Sequence, residues 1–103
     1  MEKLKDLTVN ESERVYIVEE GDILTDIAKR FSTTERLIIS DNFLKNSIKT
    51  GNRLYIKSYK KIYIVTPCDT IDSIALKFGV TAQSILEINK ILYIYVGERI
   101  VIP

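Results

Sequence analysis

The sequence has no histidine and a single cysteine, Cys68, among 103 residues. Without an imidazole there is no ordinary base to activate Cys68 as a nucleophile, and a lone thiol cannot close an intramolecular disulfide. Zinc sites draw on about four Cys or His ligands, or about three and a water, so no structural zinc site is expected. Charge of one sign is missing as well. Fifteen basic and fourteen acidic residues leave a formal charge of +1, which supplies no overall field to gather nucleic acid or an anionic membrane. Long apolar runs are also absent. The opening stretch MEKLKDLTVNESERV mixes both charge signs and lacks the roughly 7–15-residue apolar core of a secretory signal. No segment reaches the ~18 apolar residues of a membrane span. These absences read as synthesis in the cytoplasm, with no membrane span, no nucleic acid, no metal and no cofactor.

What is present suits one ordinary globular domain or two very small ones: 46% of residues are hydrophobic and 28% charged, a balance that folds around a modest core. The chain also repeats itself. Residues 16–42, YIVEEGDILTDIAKRFSTTERLIISDN, set over residues 63–89, YIVTPCDTIDSIALKFGVTAQSILEIN, share ten identities in 27 positions. After a one-residue deletion the match resumes with GNRLYIK from Gly51 over GERIVIP from Gly97. A period near 45 residues, present twice, organises the sequence. The expected division is a charged leader at 1–14, a first repeat at 15–57, a linker at 58–61 and a second repeat at 62–103.

Within each copy the periodicity changes in a fixed order. VYIV (15–18) and IYIV (62–65) are β-branched and aromatic and short enough for strands. Leu24, Ile27, Ala28 and Phe31 then fall at i, i+3, i+4 and i+7, as do Ile71, Ile74, Ala75 and Phe78, which writes one apolar helix face twice. Thr34 and Thr81 stand where N-caps of a second helix belong. A loop, a glycine turn at Gly51 or Gly97, and a closing strand follow. Each unit therefore reads β-α-α-β, an α+β fold with a two-stranded antiparallel sheet covered on one face by two helices. Units of about 43 residues without disulfide or metal sit near the lower size limit for folding alone. Contact between the repeats is expected, with Tyr55, Tyr59, Tyr93 and Tyr95 as its apolar candidates.

The order of these residues resembles the LysM (lysin motif) family, through YIVEEGDILTDIAKRF, Asn42 and GNRLYIK in copy one and YIVTPCDTIDSIALKFGV, Asn89 and GERIVIP in copy two. The resemblance implies a βααβ fold that binds polymers containing N-acetylglucosamine, chiefly bacterial peptidoglycan or chitin, without catalysis. It places a shallow groove between the loop joining the first strand to the first helix and the loop joining the second helix to the last strand. Carried over by position, copy one offers Gly21, Asp22, Ile23 and Leu24 on one wall and the 42–48 loop, with Asn42, Phe43, Leu44 and Ile48, on the other. Copy two offers Cys68, Asp69, Thr70 and Ile71 facing Asn89, Ile91, Leu92, Tyr93 and Ile94. An N-acetyl sugar pairs its amide with backbone groups, sets its methyl in a small apolar pocket and packs its ring on a flat side chain. Loop shape therefore matters more here than any unusual residue.

Each of these positions also has a plainer use. Asp22 and Asp69 precede a helix, where a carboxylate caps free N–H groups, and in copy one, with Ile23 where copy two has Thr70, Asp22 is expected to carry more of that burden. Asn42 and Asn89 end a helix, where asparagine tolerates the left-handed conformation. Cys68 aligns with Gly21 and reads as a small substitute in a turn stiffened by Pro67, or as an exposed thiol open to intermolecular oxidation. Asp41 stands in the place of Ile88, an expected weak point in the packing of copy one. The run ILYIYV (91–96) suits sugar stacking, contact between repeats, or docking of a protein through Ile91, Tyr93 and Tyr95. The leading reading is a noncatalytic glycan-binding module acting at a cell wall, spore or phage particle. A protein-assembly module of the spore-coat or phage-tail type is the alternative. A two-carboxylate hydrolase needs a walled cleft that repeats of this size do not supply.

Overall fold

The computed structural model describes residues 12–103; the expected leader falls outside them as far as residue 11. The elements run β1 (Glu13–Ile17), α1 (Leu24–Arg30), α2 (Glu35–Asp41), β2 (Arg53–Lys57), β3 (Ile62–Ile64), α3 (Ile71–Phe78), α4 (Ala82–Asn89) and β4 (Arg99–Val101). The strands pair antiparallel, β1 with β2 and β3 with β4, each pair a separate sheet. The first strand begins two residues earlier than its apolar run, because Glu13 and Arg14 continue the ladder opposite Lys57 and Ile56.

Period-two alternation in β2 sends Leu54 and Ile56 inward and leaves Arg53, Tyr55 and Lys57 in solvent. Against that inner face pack Ile27 and Ala28 of α1 and Ile38 of α2, with Val18 from the end of β1. The second repeat builds its own core from Val65, Ile74, Ala75, Ile85, Ile91, Ile100 and Ile102. The two clusters share no residue, so each repeat is held by its own apolar burial.

The four helices among the described residues stop in the same way. Ser32, Phe43, Gly79 and Lys90 each take a left-handed φ, between 53° and 69°. The residue after each donates back to a carbonyl five positions earlier: Thr33 to Ala28, Leu44 to Ile39, Val80 to Ala75 and Ile91 to Leu86, all at 2.9–3.0 Å. This 6→1 bond, with the left-handed residue before it, is the Schellman ending. The left-handed step thus falls one residue beyond Asn42 and Asn89, contrary to the expectation for those two.

The hydrogen bonds at the junction between repeats are polar side-chain and backbone contacts, and of the four expected tyrosines only Tyr59 and Tyr95 lie near it. Lys90 Nζ reaches Ser40 Oγ at 3.0 Å and Asp41 Oδ1 at 3.5 Å. Arg99 Nη2 donates to the Thr33 carbonyl at 3.0 Å, and the Tyr59 amide to the Ser32 carbonyl at 2.9 Å. Tyr93 is 75% exposed, and Tyr55 donates its hydroxyl to Glu13 within its own sheet. Asp41, far from being an unpacked fault, supplies the acidic end of this junction.

Candidate functional site

Tyr16 and Phe31 pack with ring centroids 5.3 Å apart and their planes tilted by 58°, with Arg30 lying over both rings. The Tyr16 hydroxyl donates to Asp22 Oδ2 at 2.6 Å, the Glu19 amide donates to the same oxygen at 2.7 Å, and Arg30 Nη2 stands 3.6 Å from Oδ1. The second repeat copies the knot: Tyr63 against Phe78 at 5.5 Å, Lys77 in the place of Arg30, and Asp69 Oδ2 accepting from Tyr63 at 2.7 Å, the Thr66 amide at 2.7 Å and the Thr66 hydroxyl at 2.9 Å. Bonding to the tyrosine, and then to the backbone, holds both carboxyls below the usual carboxylate range and lifts Tyr16 and Tyr63 above theirs.

These aspartates therefore do not cap the helices, as was expected of them. The N-cap of α1 is Ile23, with no side-chain cap at all. That of α3 is Thr70, which forms a full capping box with Ser73, the two bonds at 3.0 and 2.9 Å. Asp22 and Asp69 instead fasten the turn between strand and helix to the aromatic pair, which fixes the lip of the groove. Thr34 and Thr81 do cap, accepting from Leu37 and Ser84 at 3.2 and 3.0 Å.

The two lips differ at the cysteine. Asp22 bonds back to the Glu19 carbonyl and Asp69 to that of Thr66, each at 3.0 Å, so both lips are β-turns. Gly21 has φ +87°, as the third residue of a type II turn requires. Cys68 holds the same place but lies outside the left-handed region. The second turn is therefore not type II, and a side chain is tolerated. Cys68 is exposed and carries no disulfide.

In the first repeat the lip faces the 42–48 loop across a groove of about 490 Å³. Of the residues expected there, Asp22, Ile23, Leu24, Leu44 and Ile48 line it, and Lys45, Asn46 and Ser47 fill out the loop wall. Ile39 of α2 also lines it. Sequence reasoning missed Ile39; the available signal was an apolar residue on the flank of α2, beside the buried Ile38. Gly21 belongs to the lip turn but not to the lining, and Phe43, whose backbone is left-handed, is 86% exposed and also outside it. Asn42 is drawn onto β2: its amide donates to the Tyr55 carbonyl at 2.8 Å and accepts from the Tyr55 amide at 2.7 Å, while also donating to Ile38.

In the second repeat Asn89 does the same to Val101, at 2.8 and 2.7 Å, and is buried. Both asparagines thus act as one extra rung between helix and strand. Ile91 joins the core and Ile94 packs on it, whereas Leu92 and Tyr93 stand out in solvent. Ile71 is half-buried against the same core, so Cys68, Thr70, Leu92 and Tyr93 remain as the open residues of that lip and loop. Among the described residues no group of three or more His, Cys, Asp or Glu could hold a metal ion, and no helix is long and apolar enough to cross a membrane.

The sequence profile of the LysM domain matches residues 16–57 and 63–103. No curated protein matches the chain. Among solved structures it is similar to the spore cortex-lytic enzyme SleL of Bacillus megaterium, at 32% identity and a TM-score of 0.47, and to that of Bacillus cereus, at 23% identity and a TM-score of 0.44. Each match covers 89% of this chain and 23% of the other, so the chain spans less than a quarter of the length of those enzymes. The profile match takes in most of the sequence, and each matched segment folds as strand, two helices and strand: the chain belongs to the LysM domain family, whose members are binding domains.

Proposed function

We propose that the chain is a noncatalytic module that binds the N-acetylglucosamine-containing glycan of bacterial peptidoglycan, with chitin-type oligomers as usable analogues. The groove of the first repeat carries this reading. Its apolar surface, from Ile23, Leu24, Ile39, Leu44 and Ile48, suits the methyl and ring faces of an N-acetyl sugar, and Asn46 and Ser47 on the loop offer hydrogen-bond partners to its hydroxyls and amide. The groove lies between the two loops that the family uses for sugar. The second repeat, with Cys68 in a different turn, is the weaker site. Sedimentation with purified peptidoglycan tests the proposal: the protein should pellet with the polymer and be released by soluble N-acetylglucosamine oligomers. Protein that stays in the supernatant contradicts it.

A second reading, docking of a protein partner, is favoured by one observation: Leu92, Tyr93, Tyr95 and Val96 stand together in sequence and are all exposed. Under that reading, replacing Leu92 and Tyr93 by serine abolishes co-purification with a coat or tail component and leaves sugar binding by the first repeat intact.

A further inference from the structure

A larger cleft, of about 540 Å³, opens between the repeats. One wall is α2 of the first repeat, with Glu35, Arg36 and Ile39; the other comes from the second repeat, with Tyr95, Glu98 and Arg99. Ile39 lines this cleft and the sugar groove alike. The two depressions are therefore neighbours on either side of one side chain.

Charge along the two is uneven in a telling way. Every carboxylate there is hydrogen-bonded by neutral donors, which hold it in place without cancelling its charge: Asp22 by Tyr16 and Glu19, Glu35 by the Thr25 hydroxyl at 2.7 Å, and Glu98 by the Tyr95 amide at 3.2 Å. Glu98 is also buried, which pushes its carboxyl toward the neutral form. The cations divide. Lys90 and Arg99 are tied into the junction, whereas Arg36 in the cleft and Lys45 in the groove make no hydrogen bond or close ion pair with any described residue, and the charge of Arg36 acts only at longer range, on Glu98. On the wall opposite Arg36, the exposed ring of Tyr95 offers a flat face to a sugar.

We propose that a glycan strand seated in the first groove continues over Ile39 into the inter-repeat cleft, where Arg36 pairs with a carboxylate carried by the strand. The chain then selects N-acetylated glycans bearing lactyl carboxylates, as peptidoglycan does, over neutral ones. This rests on the glycan reading above and adds to it the class of sugar and a second contact surface. The Arg36 guanidinium is exposed, so its contribution is that of a solvent-facing ion pair and is screened by salt.

The test uses a peptide-free oligomer of alternating N-acetylglucosamine and N-acetylmuramic acid, the same oligomer with its carboxyls methyl-esterified, and a neutral chitin-type oligomer of equal length. At low salt the free acid should bind about fivefold tighter than the ester. It should also shift the backbone amides of Ile39 and Tyr95 in addition to those of Ile23 and Leu24. In Arg36→Gln the acid and the ester should bind alike, with ester affinity unchanged. Equal binding of acid and ester by the wild type overturns the proposal, as does a preference that survives in Arg36→Gln. In both cases binding of the neutral oligomer leaves the glycan reading standing. Failure of all three oligomers to bind removes both.

Discussion

At the scale of single residues, the repeated Tyr–Phe–Asp knot carries the most chemistry. Asp22 and Asp69 have folded-state pKa values below the ordinary carboxylate value because a tyrosine hydroxyl and a backbone amide bond to the charged form. The unfolded chain therefore takes up protons first, and this contribution to stability is complete above the unfolded pKa and is lost as pH falls through the folded one. Asp69→Asn cannot titrate, so it should melt lower than the wild type near neutrality and lose less on acidification. Thermal melts from pH 7 down to about pH 2 compare the two slopes, and parallel curves would refute the assignment. The knot was not legible in the sequence. Asp22 sits before a helix, where capping is the ordinary reading, and only the folded turn brings it beneath Tyr16. A second residue-scale test concerns Ser32, which holds a left-handed φ of 55° where the second repeat has Gly79. Ser32→Gly removes that strain and should raise stability by about 0.5–1 kcal/mol, the gain at the native turn exceeding the added freedom of the unfolded chain. Chemical denaturation measures it, and a destabilised variant would contradict the strain argument.

At the scale of elements, the helix faces were plain from spacing: Ile27 and Ala28, Ile74 and Ala75 are buried where the i, i+3, i+4 pattern puts them, with Leu24, Phe31, Ile71 and Phe78 at the margins. The threonine caps of α2 and α4 were equally legible, because a cap acts on its own helix. The use of the asparagines was not, since their partners lie 13 and 12 residues away, on strands whose register no local pattern reveals. Each amide satisfies both the N–H and the C=O of one strand residue, so truncation leaves two backbone groups and a helix end without partners. Asn89→Ala, in a buried setting, should cost about 2–4 kcal/mol, and Asn42→Ala, at a half-exposed one, about 1–2 kcal/mol. Equilibrium unfolding of the two variants sets the order, and equal small losses would show that the rung is ornamental. Ile39 is the corresponding gap at the site. One apolar residue on a helix flank carries no mark of being a groove wall until the 42–48 loop folds beside it.

At the scale of the whole molecule, two small separate cores are joined across the junction by Lys90 with Ser40 and Asp41 and by Arg99 with Thr33, while the linker is tied down by Tyr59 with Ser32. Exposed ion pairs add little to stability, about 0–1 kcal/mol, but they can fix an orientation. Lys90→Ala should therefore change the melting temperature only slightly while letting the repeats reorient, which nitrogen-15 relaxation would register as diverging tumbling of residues 15–57 and 62–103. A large loss of stability with unchanged tumbling would show instead that the junction belongs to one shared fold. Holding the repeats in register matters because the cleft between them borders the first groove at Ile39. The central claim is that this groove receives sugar. Titrating a chitin-type oligomer into nitrogen-15-labelled protein tests it most directly. Saturable shifts should appear at Ile23, Leu24, Ile39 and Leu44–Ile48, with smaller ones in the second repeat. An unmoved spectrum at millimolar ligand, or shifts confined to residues outside both loops, would contradict the account.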